Sequence, residues 1–272
     1  MWHNINVHKY FTVFIVSLQN EFIYRFNFIL WRVRNILRFL MTYFLWSGIF
    51  IANTSVFGYS QNQMLTYVFM VLIVQTMVLS APSSDNIGGE IGNGDLSNYL
   101  VKPVSYLKYW FTRDVASKTL NFIFAVFEII LLWFLFRPVI IFPTNFAVIL
   151  GFLVSLLLAT VIYYLLSACA RFVSFWAPEN TWGLAFLVLV MIEILAGGIF
   201  PLNILPASIY QLLQLTPFPY LVFFPISIFS GKIIGLEIIK VLLQSAVYVA
   251  IMVWFTKFLW KKGMMVYQSS GK

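Results

Sequence analysis

The chain has 272 residues, 61% hydrophobic and 19% aromatic, with only 10% charged and a formal net charge of +8. Soluble globular domains carry about 25% charged residues, so the composition excludes a soluble enzyme or binding module and describes an integral membrane protein. The positive charge does not point to nucleic acid, because the bases gather at the ends of apolar runs, where they orient spans and meet the headgroups of the lipid bilayer.

From Lys9 to Arg34 the polar residues Ser17, Asn20, Glu21, Tyr24, Arg25 and Arg32 recur every three or four positions among Phe, Ile, Val and Leu. That spacing predicts an amphipathic helix lying in the membrane interface over residues 9–34. A first span over Tyr10–Ile23 is the competing reading, but it is short for the hydrocarbon and polar in its centre. No small-residue cleavage site follows, so no cleavable signal is expected.

Six later apolar segments reach roughly 18 to 25 residues, enough to cross about 30 Å of hydrocarbon as helix. They run over 36–53, 64–81, 119–136, 145–168, 181–200 and 236–260. The expected fold is all-α, a single transmembrane domain over 1–272 with six transmembrane helices after the interfacial helix. Thr54–Gln63 is a short uncharged loop, and Arg137 to Pro143 breaks the chain between the third and fourth spans with two prolines. Residues 201–232 hold Pro201, Pro206, Pro217, Pro219 and Pro225 in an apolar background and cannot form one straight helix. A short helix over Ala207–Leu215 and a bent apolar loop are expected, re-entrant from the extracytoplasmic side; broken backbone at that depth is tolerated only against protein or water.

The long polar segment, 82–118, separates the second and third spans. Asp95 is placed to cap a helix of barely two turns that Pro103 ends. Leu96, Tyr99 and Leu100 share one of its faces, too few for a core but enough to plug a groove on another protein. Of the 17 Lys and Arg residues, only Arg137, Lys232 and Lys240 fall on one side of this topology. The positive-inside rule then puts both termini and the 82–118 loop in the cytoplasm.

Glu128 and Glu193 lie inside expected spans, where an ionised carboxylate costs several kcal/mol unless it faces protein or water. Each either lines a pathway or subunit interface or bonds a neighbouring helix. Gly197 and Gly198 either allow close helix approach at that interface or loosen the helix before Pro201. A single cysteine, Cys169, excludes an internal disulfide, and two histidines in the N-terminal tail predict no metal site. No phosphate-cradling loop with Gly-Lys-Ser/Thr is present, so the chain is not expected to hydrolyse nucleotide. No internal repeat is visible either, which speaks against a secondary carrier built from inverted halves.

Glu90, Ile91, Gly94, Leu96, Tyr99, Leu100 and Pro103 fall in the order Glu-Ile-x-x-Gly-x-Leu-x-x-Tyr-Leu-x-x-Pro. This resembles the loop between the second and third spans in membrane subunits of type-2 ATP-binding-cassette (ABC) exporters. The run Gly197 to Pro206, Gly-Gly-Ile-Phe-Pro-Leu-x-x-Leu-Pro, resembles that family's end of the fifth span. The resemblance implies a non-catalytic permease subunit of a bacterial-type inner membrane that exports a substrate through a dimer interface. Its implied partners are a second identical or homologous permease subunit and separate ABC ATPase subunits, which hold ATP and Mg; this chain binds no cofactor itself. Glu90, Gly94, Leu96, Tyr99, Leu100 and Pro103 are then the coupling contact to the ATPase, and Glu193, Gly197 and Gly198 the candidates for the pathway or dimer interface. The alternative is a channel or secondary carrier that works without an ATPase.

Overall fold

The computed structural model describes residues 2–23, 25–80, 85–180 and 182–268. Tyr24 in the expected interfacial helix, Ala81 and Pro82 at the second span and loop, Thr181 at the fifth span and the terminal Lys272 lie outside the described residues. Residues 9–34 are divided between two helices, α1 (Trp2–Ile23) and α2 (Arg25–Ile49). A hairpin of two short strands, β1 (Ser55–Val56) and β2 (Tyr59–Ser60), fills the uncharged loop that follows. Its turn holds Phe57 at φ 53° and Gly58 at φ 76°, the two left-handed positions that a two-residue hairpin requires. Ser60 then starts α3 (Gln61–Val78) with a reciprocal capping box, its hydroxyl accepting from the Gln63 N–H while the Gln63 side chain accepts from the Ser60 N–H.

After α4 (Asp85–Gly92) and α5 (Ser97–Leu100) comes α6, Tyr106–Phe136. It begins well before the apolar boundary at Thr119, because no Gly or Pro interrupts the polar stretch that precedes the apolar run. Its 31 residues make a rod of about 46 Å at 1.5 Å per residue, against about 30 Å of hydrocarbon. α1 packs along α6, and the Tyr10 hydroxyl accepts from the Ser105 N–H at 3.2 Å. Next are α7 (Phe146–Arg171), started by an Asn145 side-chain cap, two 3-10 turns at Phe172–Phe175 and Pro178–Asn180, and α8 (Gly183–Leu195). The proline-rich stretch holds α9 (Ala207–Gln214) and, where a bent loop was expected, a second short helix, α10 (Phe223–Phe229). Pro225 falls in the first turn of α10, where a missing N–H costs nothing. The last helix is α11, Leu236–Val266.

Among the described residues four stretches are long and apolar enough to cross a membrane: Tyr106–Phe136, Phe146–Phe175, Pro178–Leu195 and Leu236–Val266. The chain is therefore a mostly helical, multi-pass membrane protein. α2 and α3 fall short of that measure, the first carrying Arg32, Arg34 and Arg38 and the second opening on Gln61, Asn62 and Gln63.

α7 lies at the centre, packed against α11, α10, α3 and α8. Gly151 lets α11 come close, since a Cβ there would stand 2.7 Å from Ile238 Cγ2. α10 is buried along Phe223 to Ile228 against α7 and α3, so its broken backbone is lined by protein, the condition for such a segment at membrane depth. Lys232 stands over the Tyr59 ring at 4.2 Å, which gathers the hairpin and the start of α11 at one end of the bundle. At the other end, α4 and α5 pack with the start of α6 and the ends of α7 and α11.

Candidate functional site

The loop that carries the Glu-Ile to Pro pattern is folded onto the bundle. Gly94, left-handed at φ +82°, turns the chain out of α4 so that the Leu96 N–H returns to the Glu90 carbonyl at 2.9 Å. α5 has no side-chain cap. Asp95, expected in that role, is exposed, and the Ser97 hydroxyl instead donates to the Gly94 carbonyl at 2.8 Å.

The Glu90 carboxylate joins three elements. Its Oε1 accepts from the Tyr99 hydroxyl at 2.8 Å, and its Oε2 accepts from the Tyr106 hydroxyl at 2.7 Å and from Trp110 Nε1–H at 3.1 Å. Burial, and then the bond to this carboxylate, push the Tyr99 phenol above its ordinary range, so it remains a donor through the alkaline range. Around this hub Tyr106 stacks on Trp260 of α11 at 5.3 Å, and Trp260 meets Phe172 and Phe175 beyond the end of α7.

The predicted apolar face is split by this packing. Leu96 is fully buried with Ile87, Tyr106, Trp110, Phe172 and Phe175, and Tyr99 is half-buried on Glu90. Leu100 faces outward, with Val101 exposed to 85% beside it and Pro103 following. Lys102 lies over the Tyr99 ring at 4.9 Å. Sequence reasoning placed neither Tyr106 and Trp110, one helical turn apart on α6, nor Tyr267 at the end of α11, at this site. The Tyr267 hydroxyl donates to the Gly94 carbonyl at 2.6 Å and accepts from the Ser97 N–H at 3.1 Å.

The remaining sequence candidates sit among ion pairs within the bundle. Arg32 Nη1 meets Glu128 Oε2 at 3.0 Å, both side chains nearly buried, and Arg32 also donates to Asn121 Oδ1 at 2.9 Å. Arg38 pairs with Glu193 and reaches Gln75 at 3.5 Å, tying α2 to α8 and α3. Gly197, left-handed at φ +84°, offers its carbonyl to the Tyr67 hydroxyl at 2.6 Å. Gly198 lies so close to the Gln75 amide that a Cβ would clash with it. Both glycines thus seat the turn after α8 against α3 of the same chain. Lys118 closes the end of α3, donating to the carbonyls of Val78 at 2.6 Å and Ser80 at 3.1 Å, with Asp114 at 3.6 Å. Among the described residues no group of three His, Cys, Asp or Glu is placed to hold a metal ion.

Comparison with curated proteins gives no match. The family model described as ABC-2 family transporter protein matches residues 36–271. That match takes in all six expected spans, the whole Glu90 hub and Tyr267, so the chain belongs to the ABC-2 family of transporter proteins.

Proposed function

We propose that the chain is the permease subunit of an ATP-driven exporter, with a cytoplasmic ATPase bound to the outer face of α5. In this reading α2 and α3 complete a six-span bundle behind an interfacial α1, and both termini and the α4–α5 loop lie in the cytoplasm of a bacterial-type inner membrane. Two permease subunits pair, identical or homologous, and cargo leaves between them; Glu193, beside Arg38, borders that route. ATP and Mg are held by two ATPase subunits beneath. The observation that carries the reading is the Glu90 hub, which binds α5 to α6 through three hydrogen bonds, so that a push on α5 becomes a push on a helix that crosses the membrane. Glu90, Gly94, Leu96 and Tyr99 shape the contact from beneath, while Leu100, Val101 and Pro103 meet the partner.

Purification in mild detergent, with identification of co-eluting chains and the mass of the intact complex, tests the assembly. Two permease and two ATPase subunits are expected. A transport-competent complex without a nucleotide-binding subunit would establish the channel or carrier instead. Leu100→Ala with Val101→Ala should insert and accumulate normally, because neither side chain is buried. Loss of a central interface anchor is worth about 2 kcal/mol, roughly 30-fold in affinity, so recovery of the ATPase in pull-downs should collapse. For topology, a protease site inserted at Asn93, exposed between α4 and α5, is expected to be cut only from the cytoplasmic face. Cleavage from outside would put the loop beyond reach of any cytosolic motor.

A further inference from the structure

We infer that Tyr267 is a positioning residue that gives the α4–α5 loop a second output, through α11 as well as α6. Its hydroxyl enters the turn between the two short helices, donating to the Gly94 carbonyl at 2.6 Å and accepting from the Ser97 N–H at 3.1 Å. That N–H stands at the start of α5, where the N-cap residue Leu96 offers no side-chain acceptor. The ring is fixed from the side by Phe175 at 6.1 Å, edge to face. One turn earlier Gly263 presses on the Phe175 ring so closely that any Cβ would clash. The end of α11 is therefore held against both the loop and the turn after α7.

The contact of α11 with the start of α6, Trp260 on Tyr106, is a stacked ring pair, and apolar ring faces can slide. A hydroxyl that donates to one backbone group and accepts from another fixes distance and direction together. Displacement of α5 is delivered to α6 by Glu90 and to α11 by Tyr267. The opposite end of α11 begins beside the hairpin, so both ends of this helix report on the bundle's two faces.

The inference rests on the coupling reading above, and the test separates the two. In a Cys169→Ala background of the full complex, reconstituted in liposomes with its ATPase, single cysteines are placed at Ile234 before α11 or at Val139 after α6. Both positions are exposed. The probe is an impermeant maleimide, and the readout is the change in labelling rate on adding ATP with vanadate. Both reporters are expected to respond. Tyr267→Phe, which keeps the ring on Phe175, should reduce the response at Ile234→Cys about five-fold or more while Val139→Cys responds as before and ATP hydrolysis continues. An unchanged Ile234→Cys response overturns the inference, as does simultaneous loss of both responses and of hydrolysis, which would make Tyr267 a fold residue. Leu100→Ala with Val101→Ala should silence both reporters; if both still respond, it is the coupling reading that fails.

Discussion

Glu90→Ala is expected to release the α4–α5 loop from the bundle. Three donors converge on this one carboxylate, and two of them, Tyr106 and Trp110, are 5% and 1% exposed and cannot turn to water. Hydrogen bonds to a charged acceptor are worth about 1.5–3 kcal/mol each, and a buried donor left alone adds its desolvation cost, so a loss of about 3–5 kcal/mol is expected. Glu90→Gln retains one acceptor oxygen but turns an amide against the remaining donors, and should lose about half as much. Thermal unfolding of the purified permease, followed by tryptophan fluorescence, reads the stability. ATP hydrolysis by the assembled complex reads the coupling, and both should fall with Glu90→Ala. A variant that melts and couples like the parent would leave the hub without a role.

Arg32→Leu should be as damaging for a different reason. Arg32 and Glu128 have side chains 8% and 12% exposed, and removing the guanidinium strands a carboxylate among apolar helices, at a cost of about 3–5 kcal/mol. The double variant Arg32→Leu with Glu128→Leu removes both charges together and should recover most of that loss, since apolar replacement of a buried pair is often neutral or better. Melting temperature and the yield of monodisperse protein in detergent decide between them. If Arg32→Leu alone is as stable as the parent, Glu128 reaches water or another partner, and the pair does not hold α2 to α6.

The features legible in the sequence are those written locally. Uninterrupted apolar runs mark α7 and α11, and the spacing of Glu90, Tyr99 and Leu100 marks a short helix beside an acid. The prolines after Phe200 correctly forbid a straight helix there. What the sequence hides is set by partners far along the chain. Spacing puts Leu96, Tyr99 and Leu100 on one face of α5, but which part turns inward depends on Tyr106, Trp110 and Phe172, so Leu96 is core and Val101 is surface. Arg32 with Glu128 and Arg38 with Glu193 are pairs of opposite sign whose members lie far apart in sequence, and no periodicity connects them. The start of α6 was obscured by Lys108, Arg113, Asp114 and Lys118, whose charges read as loop although nothing among them breaks a helix. Tyr267 carries no signal at all, since one tyrosine after a basic helix end resembles any interfacial anchor.

The length of α6 has a mechanical consequence. A straight rod of about 46 Å, tilting by about 10° around its middle, moves each end by about 4 Å, less than one helical turn, and moves the two ends in opposite directions. No Gly or Pro lies within it to absorb the tilt by bending. Glu90 fastens the loop at one tip, and the bilayer supplies the fulcrum. In the proposed pair of permeases, a stroke that drew the loop-side tips of two such rods together would part the far tips, and access would alternate between the two faces as on a see-saw, by stiffness alone.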